Sequence, residues 1–183
     1  MIGNSIAYLL SEDSNGVPDV MAVMPWDRFT DQPHTVGISL RPHRLTHENI
    51  LSTNKFSLSI PSAKHAVALN YCGIVSGREV NKIERIRLKT HVIEGFNMAI
   101  VDDCLSYYDC EVIDNKVYGC HTLFVALVRK QQKMYDSAIG LNEGNTPIVY
   151  YDVGKSWWCL GRKVWDYTID TDTLLNALEG KYL

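Results

Sequence analysis

Ser76-Gly77-Arg78, with Lys82 four residues beyond the arginine, brings together the residue types that hold a phosphate group. A hydroxyl donates, a glycine lets backbone N–H groups turn toward a ligand, a guanidinium forks onto two oxygens, and an ammonium adds a point charge. Ser39, Arg41 and Thr46 offer a similar wall from an earlier stretch. Both sets lie in the basic parts of the chain. Arg78–Lys89 holds five of the eighteen cations against two carboxylates, and Arg41–His47 (RPHRLTH) has two arginines and two histidines without an acid. In an acidic chain such stretches either focus field on a small anion or form a solvated charged face. Met24-Pro25-Trp26 would be the apolar partner of a phosphate pocket: amides beside a rigid proline can line the edge of a flat ring, although a tryptophan there also serves as plain packing.

Other constellations carry less. No Gly-x-Ser-x-Gly elbow occurs. His43 and His47 stand four apart, but Pro42 and a helix cap at Thr46 break any common helix and no HExxH pattern is present, so no metal site is expected. His121 precedes an apolar strand and reads as a hydrogen-bonded structural histidine unless a ligand lies beside it. Cys72 beside Gly73 reads as a small buried hydrophobe.

The elements that must position these residues look like strands with a few helices. Ser5–Ser11 and Asp19–Met24 flank the turn formers of Glu12–Pro18 as a hairpin. His34–Leu40 is a strand, Asp27–Pro33 a polar loop, and Thr46–Thr53 a helix capped by Thr46. Phe56–Ile60 (FSLSI) alternates and is expected half-buried. Ser62–Cys72 has helical character with Gly73 as its stop. Leu88–Glu94 alternates again. Leu105–Ile113 and Lys116–Lys130 form a hairpin around Asp114-Asn115, and the apolar run Leu123–Val128 suggests a strand covered on both faces. Pro147–Tyr151 and Ser156–Leu160 are short aromatic strands, and Asp172–Leu183 a terminal helix. Together these predict a mainly β domain, a β-barrel with α-helical insertions.

Composition bounds the reading. The 183 residues are 46% apolar and 21% charged. A chain of this size buries about 70% of its surface on folding, enough for one domain spanning residues 1–183. The net charge of −3 excludes a generally basic nucleic-acid binder. No apolar run approaches about 18 residues, so no membrane span is expected. Met1–Leu10 lacks a basic start, so no secretory signal is expected either. The five cysteines (Cys72, Cys104, Cys110, Cys120, Cys159) are odd in number with no CxxC pair, which favours buried thiols in a reducing cytoplasm.

Asn54–Lys82, NKFSLSIPSAKHAVALNYCGIVSGREVNK, resembles the flavin reductase-like family with the FMN-binding split barrel, in particular its flavoredoxin branch. The match rests on Ile60-Pro61-Ser62, Cys72-Gly73, and Ser76-Gly77-Arg78 with Lys82. Met24-Pro25-Trp26, Pro33, Ser39 and Thr46-His47-Glu48-Asn49-Ile50 fall in family order upstream, and Cys110 and His121-Thr122-Leu123-Phe124 downstream. The likeness covers roughly residues 5–160. It implies FMN, a homodimer with flavin near the subunit interface, and redox activity fed by NAD(P)H or a redox protein. It further implies that Ser76, Gly77, Arg78 and Lys82 face the phosphate end, and that Ser39, Arg41, Thr46 and Asn49 meet the phosphate and ribityl chain. Pro25, Trp26 and Asp27 would border the isoalloxazine, and His121 would take the catalytic position near flavin or donor. The chain departs from the pattern at Val17-Pro18-Asp19, where members often have Asn, and at Cys120, where they often have Asp. Val125-Ala126-Leu127 is also not followed by the usual Gly-Glu pair. The leading expectation is an FMN-dependent oxidoreductase. The alternatives are a non-catalytic flavin-binding electron carrier and a split-barrel binding module without cofactor.

Overall fold

The computed structural model describes residues 4–24, 26–134, 147–151, 156–159, 162–166 and 176. In chain order the strands and helices are β1 (Asn4–Ser5), β2 (Ala7–Glu12), β3 (Pro18–Val23), β4 (Trp26–Asp31), β5 (His34–Leu40), α1 (Leu45–Thr53), β6 (Lys55–Ile60), α2 (Ala66–Ile74), α3 (Lys82–Arg85), β7 (Thr90–His91), β8 (Ile100–Val101), β9 (Ser106–Tyr118), β10 (His121–Lys133), β11 (Val149–Tyr151), β12 (Ser156–Cys159) and β13 (Arg162–Asp166).

Seven strands form one antiparallel sheet in the order β3-β2-β6-β9-β10-β5-β4. The sheet curls until β3, at one edge, meets β5, next to the other edge. The mainly β, barrel-like expectation therefore holds. Strand alternation fills the inside: Leu9, Val36, Ile38, Phe56, Leu58, Phe124 and Ala126 form one core. The outward residues Tyr8 and Leu10 of β2, with Val20 of β3, join a second core under α2 and the Ile86–Val101 region. Each buried Val, Leu, Ile or Phe among them contributes roughly 1.5–3 kcal/mol of transfer free energy.

The double core explains the first departure from expectation. Phe56–Ile60 is buried throughout and not half-buried. Ser57 and Ser59 face outward, but Ala99 and the adjoining β8 cover them: Ser57 donates to the Ala99 carbonyl, and Ser59 Oγ accepts the Val101 N–H at 3.0 Å. Leu123–Val128 differs the other way. Phe124 and Ala126 are buried, while Leu123, Val125, Leu127 and Val128 are only half-buried.

Several boundaries also move. Asp27–Pro33 is mostly strand β4, because it pairs with β5. A short 3-10 turn, Ala63–His65, leads into α2, which runs past Gly73 to Ile74. Only Thr90–His91 of Leu88–Glu94 pairs as a strand, with β8. The β9–β10 hairpin does not turn at Asp114-Asn115. It continues to Tyr118↔His121 and turns at Gly119-Cys120, where Gly119 has φ +57°. Glycine takes that left-handed value without a Cβ clash. The shift places Cys120 in the turn and His121 at the start of β10. A four-stranded sheet, β1-β11-β12-β13, contains the two short aromatic strands. The expected terminal helix lies outside the described residues apart from Asn176.

Candidate functional site

A cavity of about 390 Å³ opens between the end of β3, the end of β5 and the start of β10, with Gly73 of α2 at its border. Met21, Ala22, Val23 and Met24 supply one wall, Ser39, Leu40 and Arg41 a second, and Arg44, Ile6 and His121 complete it. Its size lies within the ordinary range of small-molecule sites.

The two arginines are brought together by a turn. Arg41-Pro42-His43-Arg44 closes with the Arg44 N–H donating to the Arg41 carbonyl at 3.1 Å. Proline at the second position presets the φ such a turn needs. Neither guanidinium has an ion pair or side-chain hydrogen bond among the described residues. The cavity thus has an apolar wall of Met21, Val23, Met24 and Leu40, a hydroxyl at Ser39, and two uncommitted cations at one border. His121 is half-buried, and its Nδ1 lies 3.1 Å from Cys120 Sγ.

Of the residues singled out from the sequence, Ser39, Arg41 and His121 line this cavity. Arg44 also lines the cavity and is not among those candidates, although its place in the basic RPHRLTH stretch three residues after Arg41, across a proline turn, is a signal that finds it. Met24 lines the cavity as well, while Pro25 lies outside the described residues.

The other residues are committed elsewhere. Lys82 does not present a free ammonium: its Nζ is 3.0 Å from Asp19 Oδ1, with the lysine side chain only 3% exposed. Thr46 does not cap α1, whose N-cap is Arg44; its hydroxyl donates to Asp19 Oδ2 at 3.2 Å. Gly77 packs its backbone against the same carboxylate so closely that a Cβ there would lie 2.3 Å from Asp19 Oδ1. Three residues expected at a phosphate therefore converge on an internal carboxylate, and none lines the cavity. All three contacts run to the one aspartate on β3.

Arg78 is drawn to Glu48 of α1 at 2.7 Å, and Ser76 Oγ accepts the Arg78 N–H at 3.2 Å within its own turn. Asn49 is buried and donates to Ser11 Oγ at 3.1 Å, tying α1 to β2. Trp26 packs on Tyr108 with ring centroids 5.8 Å apart, and its Nε1 is buried without a partner among the described residues. Asp27 is exposed, its carboxylate accepting the Arg28 N–H at 2.8 Å. His47 Nε2 meets Thr122 Oγ1 at 2.8 Å, and its ring stands edge-on to Phe124. Among the described residues, no group of three His, Cys, Asp or Glu side chains is placed to hold a metal ion.

A curled antiparallel sheet with a cavity at the strand ends defines the class as a β-barrel fold. The family model for the flavin reductase like domain matches residues 7–158, and the chain belongs to that family. An uncharacterised protein of Pyrococcus abyssi is 29% identical over 121 residues, 66% of this chain and 69% of that protein. The fold superposes on a flavoredoxin from Methanosarcina acetivorans with a TM-score of 0.77 at 19% identity, covering 87% of this chain and 86% of that one. It superposes on an FMN-binding protein from Thermus thermophilus with a TM-score of 0.72 at 20% identity, each chain covered to 86%. The split-barrel fold expected from the resemblance is therefore the observed one.

Proposed function

We propose that the cavity binds flavin mononucleotide and that the protein is an oxidoreductase passing electrons from NAD(P)H or a redox protein to an acceptor. One observation carries the reading. Arg41 and Arg44, both without an acidic partner among the described residues, border a cavity that Met21, Val23, Met24 and Leu40 also line. A phosphate ester on a flat, largely apolar ring system has this polarity. Family membership and the likeness to a protein described as FMN-binding support it.

Bound there, the cofactor would supply the hydride and one-electron chemistry, and the chain supplies binding, orientation and field. Arg41 and Arg44 neutralise the phosphate with charge-assisted hydrogen bonds, and Ser39 adds a hydroxyl donor. Met21, Val23, Met24 and Leu40 exclude water from the ring. His121 borders the cavity with Nδ1 engaged by Cys120, which leaves Nε2 as the nitrogen able to exchange a proton with a ligand.

The homodimer belongs to the same proposal. Ile113, Val117 and Tyr118 are 55%, 64% and 56% exposed on the β9–β10 hairpin that carries His121, exposed apolar side chains that a second copy would cover. A cytoplasmic location fits the free thiols of Cys72, Cys104, Cys110 and Cys120.

An absorbance spectrum of the purified protein tests the cofactor. Oxidised-flavin bands, with FMN and not FAD released on denaturation, are expected. A colourless protein that takes up no added FMN overturns the reading in favour of a binding module. Anaerobic NAD(P)H then separates enzyme from carrier: an enzyme bleaches its flavin directly, a carrier only through a partner reductase.

A further inference from the structure

A second cavity, also about 390 Å³, shares no lining residue with the first. It lies between His65, Ala68 of α2, the Ile86–Lys89 segment after α3 and the Val101–Asp103 segment that begins at the end of β8. Its floor is apolar: Ala68, Ile86 and Val101 are buried and Leu88 is half-buried.

The charges around it are unequally committed. The Asp103 carboxylate is 3.6 Å from Lys64 Nζ, and the Asp102 carboxylate 2.6 Å from His91 Nδ1. Arg87 and Lys89 are exposed, and their side chains have neither ion pair nor hydrogen bond among the described residues. Both acids at the border are thus already partnered and both of its cations are not. His65 is 7% exposed, stands edge-on to Tyr8, and donates Nε2–H to the Asp103 carbonyl at 3.1 Å. Burial holds its pKa below the ordinary 6.5, so the ring is uncharged at neutral pH and adds polarity without charge.

We propose that this cavity binds a small amphiphilic monoanion, a carboxylate carried on an aliphatic or aromatic body. The carboxylate sits between Arg87 and Lys89, and the apolar body lies on Ala68, Ile86, Leu88 and Val101. An amine of the same shape would meet two unpaired cations, and a neutral molecule would forgo the charge-assisted bonds. The site is independent of the flavin cavity, so its occupancy does not depend on whether FMN binds.

The test uses octanoate, octylammonium and octanol, three probes matched in apolar length. Each is titrated into the whole protein at neutral pH, with the His65 imidazole resonances followed by NMR. Octanoate is expected to give a saturable shift, with octylammonium at least about tenfold weaker, the factor one charge-assisted contact supplies. Arg87→Gln with Lys89→Gln, two exposed changes, should weaken octanoate about tenfold or more and leave octanol unaffected. The proposal is overturned by a His65 signal that does not move at millimolar octanoate, by equal binding of octanoate and octylammonium, or by full octanoate affinity in the double variant.

Discussion

The Lys82 ammonium lies 3.0 Å from Oδ1 of Asp19, with 3% and 10% of the two side chains exposed. Thr46 donates to the other carboxylate oxygen, and Gly77 packs against it. One aspartate therefore joins β3, α1, the Ser76-Gly77-Arg78 turn and α3. Removing one partner of a buried pair leaves an uncompensated charge, at a cost of about 3–5 kcal/mol. Lys82→Met should destabilise the protein by that amount in urea unfolding. Adding Asp19→Asn should recover much of the loss, because the two changes act on one interaction. A Lys82→Met protein within about 1 kcal/mol of the parent would contradict this.

Gly77→Ala tests the close approach. A Cβ would meet Asp19 Oδ1 at 2.3 Å, and Lys82 and Thr46 prevent the carboxylate from swinging aside. Overpacking of this kind costs about 1–3 kcal/mol. Thermal unfolding should show it, and an unchanged midpoint would mean that the turn relaxes freely.

The phosphate assignment can be divided between arginines. Arg41 and Arg44 border the cavity, whereas Arg78 is held by Glu48 at 2.7 Å. Arg41→Ala and Arg44→Ala should each weaken FMN binding by about 1.5–3 kcal/mol, the range for a hydrogen bond to a charged group. Arg78→Ala should change it much less. Fluorescence titration of the apoprotein with FMN reads all three, and the reverse ranking would move the phosphate to the Ser76–Arg78 turn.

Acid should destabilise the fold through His65. Burial, only partly opposed by the hydrogen bond to the Asp103 carbonyl, lowers its folded-state pKa below 6.5. The unfolded chain then binds the proton first as pH falls, so this contribution is fully present above 6.5 and is lost on acidification toward the folded-state pKa. Urea midpoints should be level above neutrality and drop below it, and His65→Gln should flatten that drop. A drop of the same size in the variant would assign it to other groups.

Among the cysteines whose side chains are described, thiol reactivity should single out Cys120. It is exposed in the hairpin turn beside His121 Nδ1, whereas Cys72, Cys104 and Cys110 are buried. Desolvation pushes the Cys72 thiol up to about 12 and raises those of Cys104 and Cys110 as well. A thiolate is the reacting species, so those three should stay inert toward an aromatic disulfide reagent in the native protein. Cys120→Ser should remove the fast phase of labelling, and a fast phase that survives would point to another cysteine.

The strands β2, β5, β6 and β10 were legible as short apolar stretches bounded by turn formers, but among them the two-residue alternation was read only in β6, and the half-buried face of β10 was not read. The turn of the long hairpin was not legible, because Asp114-Asn115 and Gly119-Cys120 are both acceptable turn formers locally, and the ladder between β9 and β10 selects between them. That selection puts His121 at the cavity. The family motifs and the basic stretches were likewise readable from residue type and order, and Ser39, Arg41 and His121 line one cavity. Which cations remain free was decided only by the tertiary structure. Asp19 reaches Lys82 and Thr46 from 63 and 27 positions away in the chain, and Glu48 reaches Arg78 across 30. A cation's role depends on the nearest anion in space and on how much water both have lost, and neither quantity is a function of sequence spacing.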